Sequence, residues 1–348
     1  MANDSPSRQC SKKAGRFCLT WRAPNSRLER TRRGGFGANA PCRKVQPDMT
    51  EAFPVILFYK YVEVADPAAF ATAQRRLCVE LGLKGRVLIA TEGINGTLAG
   101  PSAAIDRYME ALLRDARFND ITFKLSAGDV DTFPKLVVKV RKEIVTLNAG
   151  DLEPDRDNLL SPSTWKEKME NDPNAVVLDV RNRYESDAGR FENAIVCEIE
   201  HFRELPGYVE QIEPLKEKHV LIYCTGGVRC EKASALLRQR GFQHVHQLQG
   251  GIVSYQEKFG NEHWLGECFV FDQRMTVRVE QGLRQLGRCA HTGHATSRFV
   301  NCLHDPCHKL FLVSETAERG NPDLRLCPEC LATGLTSETA DYRQAASL

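Results

Sequence analysis

The chain has 348 residues, 42% hydrophobic and 26% charged, with 47 basic against 45 acidic side chains and a net charge of +2. That length predicts two or three domains with ordinary cores, and the near-neutral balance carries no bulk charge that demands nucleic acid. No apolar run is long enough to span a bilayer and no charged start with an apolar core marks a secretory signal, so a soluble, cytoplasmic protein without a membrane partner is expected.

Residues 1–48 show little periodicity and are rich in Arg, Ser, Pro and Gly. A disordered or targeting extension over 1–52 is expected. Arg30, Arg32 and Arg33 suit either an organelle transit peptide, which makes an organelle the alternative location, or a nucleic-acid contact. A translation start at Met49 accounts for the segment equally well.

The first folded unit is expected over 53–150. Pro54 to Val62 reads as a strand, and Asp66-Pro67 opens a helix to about Leu81 with proline at its first position. Lys84 to Ala90 and Gly93 to Ala99 are strands on either side of a tight turn, Ser102 to Arg114 a helix, and Ile121 to Leu125 and Leu136 to Val140 further strands. Strand, helix, two strands, helix, strand predicts a ferredoxin-like α+β (acylphosphatase-like) domain with one sheet face free for a partner. Lys84, Arg86, Lys139, Arg141 and Lys142 make that sheet basic, which fits RNA phosphate contacts or a solvated edge protected by lysines. Glu92 and Asn95, beside a glycine turn, fit the lining of an inter-domain cleft.

A Pro- and Asp-rich linker is expected over Asp151 to Pro162, and a second unit over 163–262. Ala175 to Val180, His219 to Tyr223 and Val245 to Leu248 are short apolar runs of the kind that build a parallel sheet covered on both faces. Asp179 and Arg181, at the end of the first run, are expected to pair beside the site. Gly250 and Gly251 must bring backbone close to the loop that follows the second run.

That loop carries the chemistry. Cys224 leaves the strand into Thr225, Gly226, Gly227 and Val228, and Glu231 to Arg240 reads as a helix closed by Gly241. Backbone N–H groups from Thr225 to Cys230, the helix dipole and Arg229 then favour an anion at the sulfur. Cysteine phosphatases need an arginine six residues after the cysteine; here that position is Cys230 and the arginine comes one earlier. The shorter loop resembles the rhodanese cradle, which holds a persulfide.

Leu178-Asp-Val-Arg181 with Glu185 and Gly189, the Cys224 loop, and Leu248-Gln-Gly-Gly-Ile252 complete the rhodanese pattern. More narrowly, the stretches from Lys84 to Thr97, Val140 to Val145, Phe202 to Val209 and Cys224 to Ser234 resemble the rhodanese-containing tRNA uridine-34 hydroxylase family. The resemblance implies oxygen-dependent hydroxylation of the wobble uridine to 5-hydroxyuridine, with molecular oxygen as co-substrate, the tRNA anticodon loop as partner, and Cys224 as the working cysteine. The residues themselves allow two routes. Cys224 attacks C6 of uracil, or a persulfide or sulfenic acid on Cys224 is resolved by Cys230. No flavin or nicotinamide motif is visible. Thiosulfate-type sulfurtransfer through a Cys224 persulfide and a non-catalytic tRNA-binding adaptor are the alternative readings, and no signal fixes the number of subunits.

A Cys-rich segment is expected over 263–335. Cys302, Cys307, Cys327 and Cys330 form two close pairs that suit a tetrahedral structural zinc, with Cys289, His291, His294, His304 and His308 as spare ligands. A loose tail is expected over 336–348.

Overall fold

The computed structural model describes residues 53–278 and 285–340. The expected extension over 1–52, with its arginines and Met49, lies outside the described residues.

Burial that alternates along the chain fixes Val55–Tyr61 (β1), Lys84–Ala90 (β2) and Gly93–Ala99 (β3) as strands with one face on a core. Between the first two runs Pro67–Glu80 (α1), capped by Asp66, whose carboxylate accepts from the Ala69 N–H at 2.9 Å. Ser102–Leu113 (α2), Phe123–Ser126 (β4) and Leu136–Val140 (β5) follow. The sheet order is β4-β1-β3-β2-β5, antiparallel except for β2 with β5, which is the split β-α-β arrangement expected. Ile56, Phe58, Val87, Ile89 and Leu98 point to one face and pack on Ile105, Tyr108 and Leu112 of α2. The opposite face fronts the second unit rather than open solvent. Its Leu57, Tyr59, Leu88, Asn95 and Thr97 wall a cleft against the second unit.

That unit starts earlier than the composition suggests. Asp151 to Pro162 is no free linker: Leu159–Leu160 (β6) pairs with the far end of the second sheet, and the Ser234 hydroxyl donates to the Asp155 carboxylate at 2.5 Å. Pro162–Asn171 (α3), Ala175–Asp179 (β7), Arg183–Ala188 (α4), Gly189–Phe191 (β8), Ile195–Val196 (β9), Leu205–Tyr208 (α5), His219–Tyr223 (β10), Val228–Gln239 (α6), His244–Leu248 (β11) and Gly251–Phe259 (α7) complete it. The sheet is parallel, in the order β6-β11-β10-β7-β9. Val220 and Ile222 of β10 face one buried cluster, with Leu236 and Leu237 of α6, while Leu221 and Tyr223 face another, with Trp165, Ile252 and Tyr255. Both faces are thus covered, and the strand ends present their loops to the cleft.

The C-terminal segment pairs Phe299–Asn301 with Leu310–Leu312 and packs around a cysteine cluster. Ser337 is not loose, because its N–H and hydroxyl both donate to Asp323 Oδ1 at 2.6 Å, and Ala340 is buried. Residues 341–348 of the expected tail lie outside the described residues.

Candidate active site

Strand β10 ends in buried Tyr223 and hands Cys224 to a turn that Gly227 closes at φ 105°, a left-handed conformation that glycine adopts without strain. Helix α6 begins at Val228 rather than at the expected Glu231, so Arg229 and Cys230 occupy its first turn. This narrows the anion cradle. The Gly227 N–H donates to Cys224 Sγ at 3.1 Å, but the Cys230 N–H is already committed to the Gly227 carbonyl at 3.0 Å. Behind the loop, the Ile252 and Val253 N–H groups donate to the carbonyls of Cys224 and Thr225 at 3.0 and 3.2 Å. A Cβ at Gly251 would stand 2.4 Å from the Cys224 carbonyl oxygen, which is why this contact needs glycine.

Cys224 is fully buried. Burial alone would push its thiol up. The hydrogen bond from the Cys230 thiol, the Arg229 charge and the backbone N–H groups of Arg229 and Gly227 outweigh it and hold Cys224 down to about 5, from an ordinary 9.0. Cys230 moves the other way, pushed well above its ordinary range by burial and by the neighbouring sulfur, and so stays a donor.

Arg229 does not hang free over the sulfur. Its guanidinium makes a two-pronged bond to Glu185 at 2.5 and 2.7 Å and lies 5.6 Å above the Phe271 ring. Asp179 and Arg181 form the expected pair, 2.6 Å apart and fully buried, with Tyr223 and Ser186 hydroxyls also donating to Asp179. The Arg181 guanidinium reaches on to the Gly189 carbonyl at 2.6 Å. Two buried arginine–carboxylate forks therefore hold the loop from below.

The other wall comes from the first domain, and here the sequence reading missed most. Cβ atoms at Gly226 and Gly227 would approach Leu57 Cδ2 and the Tyr59 hydroxyl to 2.7 and 2.8 Å, so both loop glycines admit the β1 side chains. Tyr61 donates to the Val228 carbonyl at 3.0 Å. Lys124 of β4, buried, donates to the Gly226 carbonyl at 2.8 Å. Between the walls lies a cleft of about 720 Å³ that reaches Cys224, Thr225, Gly226, Val228 and Arg229. Its size is within the roughly 300–1,000 Å³ of ligand sites. Asn95 lines it, whereas Glu92 sits behind the loop in an ion pair with Lys232.

Of the basic residues, Arg86 and Arg141 line the cleft. Lys139 and Lys142 are exposed outside it, and Lys84 donates to the Val130 carbonyl at 3.1 Å. Arg203, from the segment after β9, joins the lining and was not anticipated.

The four cysteines Cys302, Cys307, Cys327 and Cys330 come together with all sulfurs within 4.8 Å of one another and none in a disulfide. Cys307 and Cys327 sulfurs are 3.7 Å apart, and the Cys327 N–H donates to the Cys302 sulfur at 3.3 Å. This donor set fits a metal ion. Of the spare ligands, His304 touches the cluster, 3.3 Å from Cys330, while His291 is taken by the Leu326 carbonyl and His308 by Asp305.

Residues 53–144 match the family described as UPF0176 acylphosphatase like domain, 161–258 the rhodanese-like domain, and 265–331 the rhodanase C-terminal family. Along most of its length the chain is similar to curated proteins named tRNA uridine(34) hydroxylase. That of Staphylococcus saprophyticus is 42% identical over 76% of this chain and 86% of its own length. The Bacillus velezensis protein is 41% identical over 81% and 89%, and that of Aster yellows witches'-broom phytoplasma 40% over 77% and 89%.

Proposed function

The chain belongs to the tRNA uridine(34) hydroxylase family, and we propose that Cys224 is the residue through which it oxidises the wobble uridine of the anticodon loop to 5-hydroxyuridine, with molecular oxygen as co-substrate. It is a hydroxylating oxidoreductase with tRNA as substrate. The hydroxylase name of its relatives favours neither sulfurtransfer nor a non-catalytic adaptor.

The observation that carries the role of Cys224 is a fully buried thiol, held as thiolate, at the floor of a cleft between two domains. A thiolate there adds to C6 of a uracil, and the C5–C6 π pair moves toward C5 and O4. C5 becomes electron-rich, and transfer of one oxygen atom of O2 to it, with the other leaving as water, takes two electrons from an external reductant. Later expulsion of the sulfur restores the ring. On this route Cys230 serves as the hydrogen-bond donor that keeps Cys224 ionised, and Arg229, fixed by Glu185, supplies the fixed positive charge.

Because Cys224 lies below the surface, the target base must leave its stack to reach it. Arg86 and Arg141 in the cleft, with Lys84 and Lys139 on the same sheet and Lys142 just beyond β5, suit the phosphates that flank such a base. The cysteine cluster suits a structural zinc: bonds of about 2.3 Å in a tetrahedron put sulfurs about 3.8 Å apart, against 3.7 Å for Cys307 and Cys327. Cys302 and Cys330 would supply the other two ligands, and the metal would tie the segment together. Among the described residues no helix is long and apolar enough to cross a membrane, and a tRNA substrate suits the cytoplasm.

The test is nucleoside mass spectrometry of tRNA from cells lacking the gene, complemented by this chain or by Cys224→Ser. Wild type alone restoring 5-hydroxyuridine supports the reading. Restoration by the serine variant removes Cys224 from the chemistry.

A further inference from the structure

Lys124 presents a physical puzzle. It sits on β4, an edge strand of the first domain, yet its side chain is buried against the cysteine loop of the second, with Nζ 2.8 Å from the Gly226 carbonyl and 5.4 Å above the Tyr59 ring. Among the described residues no carboxylate lies within ion-pair distance of it, and burial disfavours its charge. A buried ammonium without a carboxylate is costly. The charge that offsets it most is Cys224. The fold also makes room for it. Gly250, left-handed at φ 74°, would put a Cβ 2.1 Å from Ser254 Oγ and 3.2 Å from Lys124 Cε if it carried one.

An ammonium has three N–H donors. One goes to Gly226, and no other hydrogen-bond acceptor is present among the described residues, while Lys124 and Cys224 line the same cleft. We infer that Lys124 is a second catalytic residue, contributed by the first domain, whose ammonium hydrogen-bonds the uracil O4 as negative charge collects there on addition of Cys224 to C6. This role rests on the C6-addition reading. In that step the C6–S bond forms and the C5–C6 π pair moves through C4 to O4. Protonation at C5 by solvent, loss of the original C5 hydrogen and expulsion of the sulfur then return uracil. No oxidant is consumed, so the cycle runs without oxygen and exchanges the C5 hydrogen.

The experiment is tritium release into water from tRNA labelled at uridine C5, with the full-length protein under anaerobic conditions. Wild type releases tritium and Cys224→Ser does not. Lys124→Met keeps an apolar stem on Tyr59 and removes the ammonium. It is expected to slow release about 10²-fold, as loss of one donor to a developing oxyanion does, with tRNA binding unchanged. A Lys124→Met protein that releases tritium at the wild-type rate overturns the role. One that loses tRNA binding together with release overturns it too, since Lys124 then only holds the domains together. A wild type that hydroxylates in air but exchanges no tritium defeats the C6-addition reading itself, a failure distinct from that of Lys124.

Discussion

Lys232, on the helix that follows the reactive cysteine, is bound 2.8 Å from Glu92 of the first domain. The two belong to different domains, and Glu143 completes the cluster at 2.7 Å from the same ammonium. Lys232 is nearly fully buried, while both carboxylates keep some contact with water.

Lys232→Met leaves two carboxylates at the domain junction without their cation. We expect a loss of about 2–3 kcal/mol in denaturant unfolding, below the 3–5 kcal/mol of a fully buried pair because Glu92 and Glu143 retain some hydration. Adding Glu92→Gln should recover part of that loss in a double-mutant cycle. Strict additivity of the two changes counts against a direct interaction.

Alkylation of Cys224 by iodoacetamide should follow a thiolate that forms near pH 5. Cys230→Ala removes a donor and is expected to move the midpoint upward, whereas Cys230→Ser, which keeps an O–H, holds it low. The same serine variant should still form 5-hydroxyuridine, and abolished turnover favours Cys230 as a resolving thiol. The sign for stability follows from a folded value below the unfolded one. The contribution is complete above about pH 9.0, the unfolded thiol's range, and is lost as pH falls toward about 5.

The purified protein should carry one zinc per chain by elemental analysis. Cys327→Ser is expected to lose the metal and to open residues 265–331 to protease, with residues 53–258 resistant. Cys289→Ser should keep its zinc, since Cys289 stands outside the four-sulfur cluster. Full zinc in Cys327→Ser removes that sulfur from the ligand set.

Strand periods and the glycine loop were legible because they report local geometry. Val55 to Tyr61, Lys84 to Ala99 and His219 to Tyr223 alternate or run apolar as their burial requires. The start of α6 was not. Its N-cap is Gly227 rather than Ser, Thr or Asp, so Val228 to Cys230 read as loop. Contacts across the chain were invisible for a different reason. Periodicity says which face of β4 carries Lys124, but not that a carbonyl 102 residues away stands opposite. Glu185 likewise reads as part of a motif, and only the fold sets it against Arg229. Asp155 reads as linker because its polar neighbours signal turns, while its partners Ser234 and Arg238 lie on a later helix.

Gly226 and Gly227 are shaped to Leu57 and Tyr59, and this bears on the order in which the chain is made. Residues 53–144 leave the ribosome before Cys224 is synthesised, and domains fold as they emerge. The loop is thus born beside a finished surface and closes onto it. A cut that frees the second domain strips the thiolate of its roof, leaving a cysteine open to any passing oxidant.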